Sequence, residues 1–248
     1  MKLGKRPYRH DERTLNLDAY LNLPAINAPS RCVRSNLVPS WPMYLNDSLG
    51  DCTCAEVGHA EQLWSTMNGA EVTVPDQAVE TLYEQVSGYD PETGDDDNGA
   101  AILDVMKAWK ATGCGGHKIG AFAQVDINHD SLLRAAIWLF GGVSVGLQLP
   151  LELQAKVDST ATWHRPALLH GANAPGSWGG HCVLVCDYDT EGLVCVTWGR
   201  VQRMSWAFWH AYGDEAWAAI PAEWFTAKTP PTGVALAALE ADLKEVAA

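Results

Sequence analysis

The periodic segments of this chain are segregated by type, helical patterns first and strand patterns later, and that order admits few architectures. From Asp51 onward Cys52, Ala55, Val57, Ala60, Leu63 and Trp64 recur at three- and four-residue spacings, the mark of a helix with a buried face, and Asn68-Gly69 ends the run. Further helices are predicted over 76–86, 100–111 and 131–140. Gly141-Gly142 then leads into an apolar strand, Val143–Leu149. Two more strands, His181–Tyr188 and Leu193–Trp198, flank the turn Asp189-Thr190-Glu191-Gly192 as a hairpin. A helix or turn over 206–212, a strand over 215–220 and an amphipathic helix over 233–246, with Leu236, Leu239 and Leu243 on one face, complete the pattern. The expectation is an α+β fold with a cleft between a helical half and a β half.

A chain of 248 residues, 47% hydrophobic and 19% charged, buries a full core without staples. A formal charge of −13 argues against nucleic acid as a partner, because a polyanion is repelled. The exception is a basic start, Lys2, Lys5, Arg6, Arg9 and Arg13, read here as a solvated tail. Seven cysteines without regular spacing, and a polar start with no signal peptide pattern, point to a reducing compartment: the cytoplasm of a host cell, or a particle assembled there. No segment reads as a membrane span, since the longest apolar stretch is broken by Gly141, Gly142, Gly146 and Pro150.

Two segments carry chemistry. In Asn46-Asp47-Ser48-Leu49-Gly50-Asp51-Cys52, the cysteine falls at a helix N-terminus, where unpaired N–H groups and the helix dipole stabilise a thiolate. Gly50 permits close approach to it. Asn46, six residues before Cys52, can curl back so that its amide and the Cys52 N–H donate to an oxyanion. Cys54 is the competing nucleophile, but it points roughly 200° away around the helix, and the spacing from Asn46 favours Cys52. The second segment, Gly179-Gly180-His181-Cys182-Val183, puts a histidine at the rim of an apolar strand. No zinc ligand set is expected, since Cys52-x-Cys54 and His181 with Cys186 lack paired knuckle spacing. The acidic run Gly94–Gly99 lacks the acids a calcium loop needs at its ends, and no cofactor is expected.

With these residues in view, the sequence resembles the papain-like (C1-like) cysteine peptidases. Asn46 stands where that family has Gln, Cys52 at its nucleophile, and the strand opening at His181 where it has His-Ala-Val. Val196-Thr197-Trp198-Gly199 is similar to its Asn-Ser-Trp-Gly, Asp97-Asn98-Gly99 to its Asp-x-Gly, and Gly141–Gly146 to its Gly-Pro-Val-x-Val. The matches run in order over about 40–220, and the pattern is also similar to phage- and prophage-encoded proteins. The resemblance implies a long helix starting at the cysteine, and an antiparallel β-sheet or barrel half. Its domain plan is an irregular arm over 1–45, a papain-like domain over 46–225 (helical half to about 140, β half from about 141), and a linker with a helix over 226–248. It implies a cysteine hydrolase acting on a peptide or protein, with Cys52, His181 and Asn46 catalytic and Gly50, Asp51, Trp178 and Trp198 along the substrate groove. The family's Trp after the nucleophile is Thr53 here, and aligning Trp198-Gly199 puts Val196 where the family has its His-orienting Asn. Candidates for that third member are Thr197, if a bulge turns it inward, and Asp187 or Asp189. The alternative expectation is a weak or inactive papain fold kept for structure or binding, for example among virion proteins.

Overall fold

In the computed structural model the structure describes residues 1–222, 225 and 232–246. Helices α1 (Cys52–Met67), α2 (Asp76–Ser87) and α3 (Ile102–Ala111) come first. Strand β1 (Ile119–Gln124), helix α4 (Asp130–Phe140) and strands β2 (Val143–Leu149), β3 (Gly179–Tyr188), β4 (Gly192–Thr197) and β5 (Arg200–Ser205) come next. Helix α5 (Trp206–Tyr212), strand β6 (Gly213–Pro221) and helix α6 (Leu236–Val246) close the order. The six strands form one antiparallel sheet in the order β1-β6-β2-β3-β4-β5. The α+β expectation stands, with α1, α2 and α3 on one side of an antiparallel sheet drawn mainly from the C-terminal half. The part of the expected C-terminal linker over 226–231 lies outside the described residues.

Two apolar layers hold the sheet. On one face Cys182, Leu184, Cys186, Val196 and Trp217 pack against Cys52, Ala55, Val57 and Leu63 of α1 and the apolar faces of α2 and α3. On the other, Val183, Val185, Leu193 and Cys195 meet α4, α5 and the N-terminal segment around Leu17 and Tyr20. β2 and β3 are covered on both faces, which is why both appear in sequence as unbroken apolar runs. Local signals stop the helices: Gly141 (φ 85°) receives the end of α4 through its N–H to Ile137 O at 3.1 Å, and Ser205 Oγ caps α5 by accepting from Phe208 N.

Two strands are not visible to periodicity. β1 is built largely of small residues and precedes the expected start of the β half at 141, while β5 is mainly polar at the sheet edge. The first residues are also not a solvated tail. Lys5 is buried, because the chain start is drawn between the two halves. All seven cysteines are free and buried.

Candidate active site

Cys52 is the first residue of α1 and is buried. The Asp51 carbonyl accepts from Cys54 N at 2.7 Å and Ala55 N at 2.9 Å, so the first turn is built directly behind the thiol. Asp51, expected along the groove, has its carboxyl fully enclosed under the helix start, and loss of solvation pushes its pKa up to about 8. The Cys52 thiol is likewise pushed up, to about 11, chiefly by burial, against the opposing effect of backbone N–H groups of Cys182 and Gly4 directed at its sulfur. Cys54 is also wholly buried, beside Thr53, and burial pushes its pKa well above the usual thiol value.

Cys182 comes directly after His181, so the backbone that touches the thiol also carries the imidazole. His181 Nε2 lies 2.6 Å from Thr197 Oγ1, and the ring lies flat on Trp198 at 4.4 Å between centroids and 18° between planes. Nδ1 is buried and has no hydrogen-bond partner among the described residues. Loss of solvation lowers the His181 pKa to about 3, so the ring is neutral. Trp198, at φ 46°, turns the chain out of β4 and packs against Trp178 at 5.7 Å, so these two rings back the imidazole.

Thr197 reaches His181 without the bulge expected from strand alternation. Val196 points to the α1 face with Cys182, and its neighbour Thr197 therefore takes the opposite face with His181. The residue beside the ring is thus Thr197, one position later than the alignment on Trp198-Gly199 places it. Asp187 and Asp189 are not brought to the histidine. Asp187 accepts from Arg34 N, Ser35 N and Ser35 Oγ at the far end of β3, and Asp189 binds Arg203 and closes the β3–β4 turn.

Asn46 comes after two residues in the left-handed region, Tyr44 (φ 52°) and Leu45 (φ 68°), an uncommon conformation that turns its side chain back toward the helix start. Its Nδ2 donates to Leu49 O at 3.1 Å and to Lys2 O at 3.4 Å. Gly50 N donates to Asp97 Oδ1 at 2.8 Å, and that oxygen also accepts from Tyr83 Oη, which in turn accepts from Gly99 N. Asp97-Asn98-Gly99 therefore forms the wall facing Gly50.

Sequence reasoning missed the segment that lies in the cleft. Residues Lys2–Arg6 run through it as an added strand: Lys2 N donates to Asn46 O, Ala100 N to Gly4 O, Arg6 N to Ala100 O and Lys5 N to Gly180 O, at 2.9–3.1 Å. Gly4 passes so closely that a Cβ there would lie 1.7 Å from Gly50 O, and one on Gly99 would lie 1.8 Å from Gly4 O. The Lys2 carbonyl also accepts from Trp198 Nε1 at 3.5 Å, and the Lys2 ammonium pairs with Asp97. Leu3 and Gly4 inside a basic run are the available signal, and composition alone masks it. No group of acidic, histidine or cysteine side chains suited to a metal ion occurs among the described residues. Among them, too, no helix is long and apolar enough to cross a membrane.

No protein-family model and no curated protein matches the sequence. Solved structures do match in three dimensions. Xylellain, a cysteine protease from Xylella fastidiosa, is similar with a TM-score of 0.61 at 15% identity over 88% of this chain and 96% of that one. The cysteine protease and lectin-like domains of Cwp84, from Clostridium difficile, give 0.61 at 10% over 88% of this chain and 55% of that one. Procathepsin L 3 of the Tenebrio molitor larval midgut gives 0.56 at 13% over 88% and 75%. With a helix beginning at Cys52, packed on an antiparallel sheet that carries His181, this chain has the fold of the papain-like cysteine proteases.

Proposed function

We propose that the chain is a cysteine hydrolase acting on peptide-like amides, held latent in this state by its own residues Lys2–Arg6. The observation that carries the reading is His181, bound through Nε2 to Thr197 and with Nδ1 left over, on the strand whose next amide touches the Cys52 sulfur. With Nε2–H donated to Thr197 Oγ1, Nδ1 holds the lone pair that accepts the Cys52 proton. The sulfur then attacks the amide carbon, and Asn46 Nδ2 with the Cys52 N–H receives the oxyanion. His181 passes its proton to the leaving nitrogen, the C–N bond breaks, and a thioester remains. Water, deprotonated by His181, attacks that thioester, and the acid leaves as the sulfur regains its proton.

The latent state comes from the same geometry. The Asn46 amide is given to the Lys2 carbonyl, the thiol is covered by the Gly4 amide, and the desolvated thiol and imidazole are both neutral. Displacing the strand admits water and substrate together. Gly4→Val does this in the full chain, because its Cβ has no room against Gly50 O.

A peptidyl fluoromethyl ketone, which alkylates a thiol after binding as a substrate does, tests the proposal in the Gly4→Val chain at neutral pH. One adduct is expected, at Cys52, abolished by His181→Ala. No adduct, or adducts spread over several cysteines regardless of His181, would sink the hydrolase reading and favour a papain fold kept for structure or for binding virion proteins.

A further inference from the structure

The Lys5 side chain leaves the cleft strand and enters a recess in the sheet half. Its Nζ lies 2.9 Å from Asp214 Oδ2 and 2.8 Å from Glu215 Oε1, with no part of the side chain exposed. The recess is built around this guest. A Cβ on Gly146 would lie 2.2 Å from Lys5 Cε, 2.4 Å from Asp214 Oδ1 and 2.7 Å from Glu215 Cγ; one on Gly180 would lie 2.3 Å from Lys5 O. Both carboxylates are held from behind. Trp217 Nε1 donates to Glu215 Oε2 at 2.7 Å, leaving Oε1 for the guest, and Gln148 Nε2 donates to Asp214 Oδ2.

An ion pair inside a core needs no such setting. This guest arrives on a strand bonded edge-on to Gly180 and Ala100, across the Cys52 sulfur, which is where a substrate chain must lie. With the strand seated Glu215 is 1% exposed, and when the strand leaves, its carboxylate loses its cation in a recess still walled by Trp217, which is costly for a charge held out of bulk water. Another ammonium or guanidinium on a flexible aliphatic stem relieves that cost; an apolar or acidic side chain does not.

We infer that this recess is a subsite for a basic residue, so that the peptides the cleft accepts carry lysine or arginine at the position Lys5 holds. The inference deepens the hydrolase reading and rests on it only for the bond cleavage that comes after binding.

The test uses the full-length Gly4→Val chain and a fluorescent peptide, Met-Lys-Leu-Gly-Lys-Arg, with anisotropy as the readout. Replacing its fifth residue by Arg should preserve binding, and replacing it by Leu should weaken binding about 30-fold or more, as expected when one partner of a buried charge pair is removed. Glu at that position should abolish it. Glu215→Gln or Asp214→Asn in the same chain should shrink the Lys-over-Leu preference to within about threefold; Asp214→Asn, nearer the surface, serves if Glu215→Gln does not fold. Equal binding of the Lys and Leu peptides, or no binding of either, overturns the subsite. The readout needs no turnover. A chain that prefers the Lys peptide but leaves Cys52 unlabelled by the ketone loses the hydrolase reading alone, and one labelled at Cys52 without a basic preference loses the subsite alone.

Discussion

His181 Nε2 lies 2.6 Å from Thr197 Oγ1, so a hydroxyl holds the imidazole where the family's pattern has a carboxamide. A hydroxyl both donates and accepts, so it fixes the ring's direction while leaving either tautomer open. In the arm-displaced chain, Thr197→Val is expected to cost about tenfold in kcat/KM, the order of one buried hydrogen bond lost to an apolar isostere. Thr197→Ser should recover most of that loss. The acid limb of the pH–rate profile should move in Thr197→Val, because Thr197 acts through the ring; an unmoved profile would make the contact merely structural.

Asn46 is expected to act on the transition state. Asn46→Ala, again with the arm displaced, should lower kcat by about 10²–10³ with little change in KM, as removal of one oxyanion donor does. A change confined to KM would assign the amide to holding the Lys2–Arg6 strand, which it also touches.

The covered thiol predicts a pH dependence. With its pKa near 11, about one Cys52 in 10⁴ is thiolate at pH 7, and alkylation by iodoacetamide should climb tenfold per pH unit without levelling below about pH 10. In Gly4→Val, water and a protonatable His181 are admitted, and the rate should level off near neutrality. A plateau below pH 9 in the unaltered chain would contradict the latent state.

Stability should also report the buried groups. Asp51 and Glu61 are pushed up to about 8 and Glu56 to about 7 by burial; each is protonated when folded and ionised when unfolded between its ordinary value and its raised one. Their contribution is full below about pH 4 and is lost as pH rises through 7 and 8. His59 and His181, lowered to about 4 and about 3 by burial, act oppositely: their contribution is present above about pH 6.5 and lost as pH falls through those values. Three acids against two histidines largely offset between about pH 4.5 and 6, so the melting temperature should fall most steeply as pH rises from about 6 through 7 and 8. Asp51→Asn should raise it at pH 8.5 by a margin that closes toward pH 5; a margin independent of pH would mean that Asp51 is not buried as the acid.

Much of this architecture is legible because its signals are local. Cys52 after Gly50-Asp51, the apolar runs of β2 and β3, and Gly141 closing α4 each depend on a few neighbouring residues. The features that escape depend on distant partners. Polar β5 takes its place from pairing with β4, Thr197 acquires its role from the face of β4 it occupies, and Lys5 is buried because two acids 209 and 210 positions later await it. Charge patterning alone makes the basic start a solvated tail, since it says nothing of the groups that meet those charges.

The strand at Lys2–Arg6 has one more consequence. Its partners come from both halves of the fold, Asn46 and Ala100 on one side and Gly180, Asp214 and Glu215 on the other. It can seat only after both halves have formed, so it is a late event in folding and a stitch across the cleft. Whatever pulls it out must also slacken the hold of one half on the other, and opening the cleft and loosening the molecule become a single step.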